Sequence, residues 1–313
     1  MLKTRRPWPG SWLPLAALAL AACIGYRTPL SDSGVREPRG DAGIPPPRVD
    51  ARVDSARDQS KADRQPLPRC TPGDPYVLVL GTDHWLYHLD PGTLSLSRLA
   101  SVACGNDTLN SMTTSPVGPA YISNQSGELC IVDPATFASS ATRFDPGSIG
   151  GSPFGMALLA DNSPAGQTLY IASSDAVFKN RLSHIDITTF ALGEVGPILP
   201  VVPWAELTAG PDGGLYGFAI GETSSLLLNI DPRTGSAIDV TSVPAGYTAA
   251  AFGLVYWQGD FYLFVGPSAQ VIIPTLAPAA KAEVYRYRKG DTLVAHVGTL
   301  DVGVIGAGVA ACR

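Results

Sequence analysis

The chain has 313 residues, 45% of them hydrophobic and 16% charged, with 33 glycines and 28 prolines. That balance belongs to a globular protein of short strands and turns, and it excludes a fibrous or wholly disordered chain. The formal charge of −5 hides an asymmetry: residues 70–313 hold 10 basic and 20 acidic side chains. A domain so acidic argues against nucleic acid as a partner, because phosphate binding needs a basic face.

Residues 1–23 read as a leader. Lys3, Arg5 and Arg6 precede an apolar stretch from Trp12 to Ala22 that is too short to span a bilayer. It ends Leu20-Ala21-Ala22-Cys23, which resembles the lipobox of bacterial lipoproteins. The resemblance implies cleavage before Cys23 and acylation of its thiol and new amino group, and more than one acyl chain gives a stable membrane anchor. Ile24 rather than Asp follows, which points to the outer membrane, on its periplasmic or surface face. Residues 24–69 hold nine basic residues, seven acidic residues and seven prolines, with Tyr26 the only aromatic. Such a segment cannot bury enough apolar surface to offset its ordering entropy, and it reads as a disordered tether spanning about 35–40 Å.

From Cys70 to Arg313 two markers alternate. The first is a turn: Leu89-Asp90-Pro91-Gly92-Thr93, Val132-Asp133-Pro134-Ala135-Thr136, Ile185-Asp186-Ile187-Thr188-Thr189 and Ile230-Asp231-Pro232-Arg233-Thr234, with a degraded copy at Arg288-Lys289-Gly290-Asp291. Proline presets the turn dihedral and the Asp side chain accepts a backbone N–H two residues on. The second marker is Gly-x-x-Tyr, ending at Tyr76, Tyr121, Tyr216 and Tyr262, with a copy one residue longer ending at Tyr170. Turn spacings of 43, 53, 45 and 57 residues, without helical periodicity, predict the blades of a β-propeller, about four strands each.

Each internal Gly-x-x-Tyr has a strand before it, as at Ser111–Thr114, Phe154–Ala157, Ala205–Thr208 and Phe252–Val255. The copy at Tyr76 has none, and the missing strand stands at the other end as Ile305–Ala311. The chain is therefore expected to be an all-β, five-bladed propeller closed by mixing N- and C-terminal strands in one blade. Closure removes exposed sheet edges, and a monomer is expected. Four cysteines besides Cys23 suggest two disulfides in an exported protein. Ring closure brings Cys70 and Cys312 together across the cut in the closing blade, leaving Cys104 to pair with Cys130.

No set of catalytic residues converges in the sequence. His84, His88, His184 and His296 are scattered, and His84 and His88 lie in a strand region where an i, i+4 pair is far apart. Ser152 lies in Gly150-Gly151-Ser152-Pro153-Phe154 rather than a nucleophile elbow, and no Cys-x-x-Cys pair occurs. The motif aspartates read as turn caps. Glu206 differs: it lies in an innermost strand, where no turn requires it and where it can face the channel. Ser111, in the matching strand of another blade, joins it as a candidate binding residue. No metal or cofactor is expected.

With these repeats, the lipobox and the Pro/Arg/Asp tether, the chain resembles a group of lipoproteins common in myxobacteria. Asn110-Ser111-Met112, Asp186–Leu192, Ala205-Glu206-Leu207-Thr208 and Ile305-Gly306-Ala307-Gly308-Val309 carry the likeness. It implies a propeller and an envelope address and carries no activity. The expected organisation is a leader over 1–23, a tether over 24–69 and a propeller over 70–313. The expected function is a non-enzymatic binding or scaffold module for a protein, glycan or small molecule. The competing expectation is a propeller enzyme of the lyase or lactonase kind with a metal in its channel. If Cys23 carries lipid, Cys23→Ser moves the protein from the detergent phase to the aqueous phase on Triton partitioning; wild type in the aqueous phase would end the lipoprotein expectation.

Overall fold

The computed structural model describes residues 74–311 apart from 116–117, 151, 164, 175–179, 201, 203, 211, 221–224, 244–248 and 268–280. The leader, the tether, Cys23, Cys70 and Cys312 lie outside the described residues. Among the described residues no helix is long and apolar enough to cross a membrane.

Twenty strands form five four-stranded antiparallel sheets among the described residues. In chain order the first sheet begins with β1 (Pro75–Gly81), β2 (Trp85–Asp90) and β3 (Ser95–Ser101). The next holds β4 (Leu109–Thr114), β5 (Ala120–Asn124), β6 (Leu129–Val132) and β7 (Ser139–Ala141). The third holds β8 (Phe154–Ala160), β9 (Gln167–Ser174), β10 (Asn180–Ile185) and β11 (Leu192–Pro197). The fourth holds β12 (Ala205–Ala209), β13 (Leu215–Ala219), β14 (Ser225–Ile230) and β15 (Ala237–Val243). The fifth holds β16 (Ala249–Trp257), β17 (Asp260–Pro267), β18 (Ala282–Arg288) and β19 (Ala295–Leu300). The last strand, β20 (Val304–Ala311), pairs with β1, so the first sheet reads β20-β1-β2-β3.

This is the five-bladed propeller with the mixed closing blade that the repeats imply. Tyr76 pairs with Ala310 and Leu78 with Gly308, placing the C-terminal strand innermost in the blade the N-terminal strands begin. Strands β4, β8, β12, β16 and β20 each touch the next around a closed ring.

The inner strands of each blade are buried on both faces, so alternate residues of such a strand feed two different cores. On β1, Leu78 and Leu80 pack with Met112 and Ile122 of the following blade, whereas Val77 and Val79 pack with Phe264 and Val284 of the preceding one. The same division produces the layers around Leu169, Leu207 and Leu263. Strands that face two cores have no polar side, which is why their sequences run apolar without alternation.

The recurring aspartates cap the turn between third and outermost strands. Asp133 Oδ1 accepts the amides of Ala135 and Thr136, at 2.9 and 2.8 Å, and Asp186 Oδ1 does the same with Thr188 and Thr189. Backbone amides hold Asp90, Asp186 and Asp231 below the usual carboxylate range. The fifth residue of each turn is left-handed. It is Gly235 in one blade but Leu94, Phe137 and Phe190 in three others, with φ of 55°, 58° and 60°. A side chain there costs about 1–2 kcal/mol. These three side chains pack against the inter-blade cores from the rim, and that burial offsets the cost.

Cys104 lies in the connector between β3 and β4 and is bonded to Cys130 on β6, with Cα atoms 5.6 Å apart. Both cysteines sit in the core between the closing blade and the blade after it. The bond closes a loop of 26 residues, for which the chain-entropy relation gives about 3–4 kcal/mol. Replacing both cysteines by alanine should lower the melting temperature by roughly 10 °C, the shift such a loss gives a domain of this size. Differential scanning calorimetry checks this, and an unchanged melting temperature would show that the bond contributes nothing.

Candidate functional site in the propeller channel

The innermost strands approach one another closely. A Cβ on Gly155 would collide with the carbonyl oxygen of Ala205, and one on Gly306 with the backbone of Met112. Glycine at these points lets the ring close, and the space along the axis collects at its two ends.

One mouth forms where the innermost strands begin. It encloses a cavity of about 210 Å³ lined by Asn110, Gln125, Phe154, Trp204, Glu206, Phe252 and Ile305, among others. The opposite mouth is a wider apolar bowl of about 570 Å³, with Leu158, Tyr256, Trp257 and Val309 in its wall and Pro75 beside them.

Glu206 lies at the first mouth and is 3% exposed. Its Oε1 accepts the Ser111 hydroxyl at 2.7 Å, the Met156 amide at 3.2 Å and the Leu207 amide at 3.4 Å. The two sequence-predicted binding residues, 95 positions apart, therefore meet, and three blades converge on one carboxyl oxygen. Strand alternation sets the two residues apart: Leu207 turns into the core shared with the preceding blade, and Glu206 takes the opposite side of the strand.

Burial pushes the Glu206 carboxyl up to about 8, against the opposing effect of its three hydrogen bonds. Its neighbours are uncharged donors, so no opposite charge joins these hydrogen bonds against the desolvation of the anion. The shift favours the protonated carboxyl at neutral pH.

Sequence reasoning missed the residues around Glu206. Asn110 donates to the Phe154 carbonyl at 2.9 Å and accepts from Gln125 at 3.1 Å, which ties β4 to the loop after β5. Trp204 stands at the rim with 49% of its surface exposed. Its signal was local: it lies two residues before Glu206, the spacing that puts side chains on one side of an extended segment.

The other titratable groups do different work. Asp260, also buried, is held by Arg288 through contacts of 2.7 and 3.1 Å. Asp83 accepts from Tyr87 and Arg98 of its own sheet, and Asp212 from Tyr216 of its own sheet and Lys289 of the next blade. The histidines do not meet. His88 packs on Tyr76, His184 lies near Tyr170, and His296 pairs with Glu283 at 2.6 Å. His84 corrects the sequence reading: it lies in the turn between β1 and β2 with φ of 64°, not in a strand. Among the described residues no three His, Cys, Asp or Glu side chains lie together as metal ligands.

No protein-family model matches the chain, and no curated protein matches it. Among solved structures it is similar to a chain of the nidogen/laminin complex, at 10% identity and a TM-score of 0.48, covering 76% of this chain and 100% of that one. It is also similar to a luciferin-regenerating enzyme, at 14% identity and a TM-score of 0.43, covering 75% of this chain and 78% of that one. The calcium-binding protein regucalcin from Agrobacterium tumefaciens strain C58 matches at 14% identity and a TM-score of 0.39, covering 74% and 76%. Likenesses this distant say nothing of ligand or activity, and the five-bladed ring is carried by the strand order itself.

The Glu206 titration has a consequence for stability. An unfolded glutamate loses its proton near pH 4.5, whereas the folded one keeps it to about pH 8. The folded state therefore binds more protons between these values, and stability falls as pH rises through that window. Thermal melts from pH 5 to 9 should show the decline, and Glu206→Gln, which keeps the shape without the charge, should flatten it. An equal slope in the variant would assign the decline to other groups.

Proposed function

We propose that the chain is an envelope lipoprotein, anchored through acylated Cys23, whose propeller is a non-enzymatic binding module with its ligand at the Glu206 mouth. The observation that carries this reading is the carboxyl of Glu206, fixed by Ser111 and two backbone amides at a cavity to which all five blades contribute. A buried acid held in one orientation beside aromatic walls is the composition of a recognition site: mostly apolar, with a few placed polar groups. The Cys104–Cys130 bond suits an oxidising compartment, in keeping with export. The lipobox and tether supply the address.

Propellers host both enzymes and binding proteins, so the fold does not decide between them. General acid–base chemistry needs partners within hydrogen-bond reach of the reacting atoms. Among the described residues Glu206 is the only ionisable side chain lining this mouth. A metal-dependent lyase or lactonase would place a divalent cation here, where a hard cation takes six or more oxygen ligands and the mouth supplies one carboxyl.

The test uses the detergent-solubilised full-length protein, dialysed against a small-molecule extract of the envelope and examined by native mass spectrometry. A compound should be retained with its mass unchanged, and Trp204→Ala, an exposed substitution, should release it without lowering the melting temperature. A compound consumed and replaced by a product of different mass would turn the reading to an enzyme. Retention untouched by Trp204→Ala would move the site away from this mouth.

A further inference from the structure

Glu206 and Asp260 are the buried carboxylates among the described residues, and they are satisfied in opposite ways. Asp260 faces the guanidinium of Arg288. Glu206 has a hydroxyl and two amides, all uncharged and all on Oε1. When its anion forms, no cation of the protein is beside it, yet the residue borders a cavity open to solvent.

Three further observations concern that cavity. Trp204 and Phe252 present aromatic surface to it, and aromatic faces attract cations. The Asn110 amide is already committed to Phe154 and Gln125, leaving little to read the hydroxyls of a sugar. The domain around the mouth carries twice as many acidic as basic side chains, a field that draws positive ligands in.

We infer that the mouth takes a small organic cation, an amine or quaternary ammonium group, with its charge against Glu206 and its apolar flank on Trp204 and Phe252. The inference rests on the reading of this mouth as the binding site and names the ligand class. The volume of about 210 Å³ suits a compact group, below the size of pockets that hold drug-sized ligands. Binding exchanges one charge for another. The Glu206 carboxyl gives its proton to the buffer, the carboxylate stays, and the ligand's positive charge replaces the lost proton while the ligand keeps its own.

Isothermal titration of the detergent-solubilised full-length protein tests this with choline, putrescine and 3,3-dimethylbutanol, the last an uncharged isostere of choline. At least one of the two cations should bind, and the isostere should not. The apparent affinity should rise about tenfold per pH unit between pH 6 and 8 and level off above, because below pH 8 each ligand displaces a proton. Titrations in buffers of different ionisation enthalpy should show close to one proton released at pH 6–7. Glu206→Gln should abolish the binding while circular dichroism shows the fold intact. Failure of both cations to bind, equal binding of the isostere, or cation binding that persists in Glu206→Gln would each overturn the inference. If the dialysis experiment retains an uncharged compound that Trp204→Ala releases, the mouth stands as the binding site and only the ligand class falls.

Discussion

The ring closes only because its innermost backbones come closer than side chains allow. At Gly155, Gly306 and Gly308 the neighbouring blade occupies the place a Cβ would take. From that crowding the rest follows. Open space is pushed to the two ends of the axis, and the ends differ in chemistry because the strands enter with Asn110, Glu206 and Phe252 and leave with Leu158, Tyr256 and Val309. Ser111, Met156 and Glu206 can share one carboxyl oxygen only where three strands are this close.

The rim obeys a different economy. There the chain reverses in a turn whose fifth residue must be left-handed, and glycine is used in only one of the four aspartate turns. Leu94, Phe137 and Phe190 accept an unfavourable backbone so that a large side chain can seal the wedge between two blades. Blades splay apart toward the outside, and a flexible glycine would leave that wedge open to water. Local strain is thus offset by long-range packing.

Much of this was legible in the sequence where the cause is local. Asp-Pro and Gly-x-x-Tyr are short-range turn and strand chemistry, so their recurrence revealed the number of blades and the strand missing before Tyr76. Glu206 stood out because an acid in an innermost strand has no turn to cap. Its partnership with Ser111 was not legible, since the distance between residues 95 positions apart depends on the radius of the closed ring. The carboxyl's protonation was hidden for the same reason: it depends on burial by three blades. His84 misled because its apolar neighbours resemble a strand, whereas Gly81 and Asp83 bend the backbone into a turn.

The position of β1 has a mechanical consequence. It lies between β20 and β2 and is hydrogen-bonded to both, entering the sheet at Pro75 opposite Ala311. A pull on the chain ahead of Pro75 runs along the strand axis and loads both ladders in shear, so their bonds share the force instead of opening one at a time. An outermost strand such as β3, paired on one side only, would peel more readily. Force applied to the chain at the start of β1 thus meets two ladders rather than one.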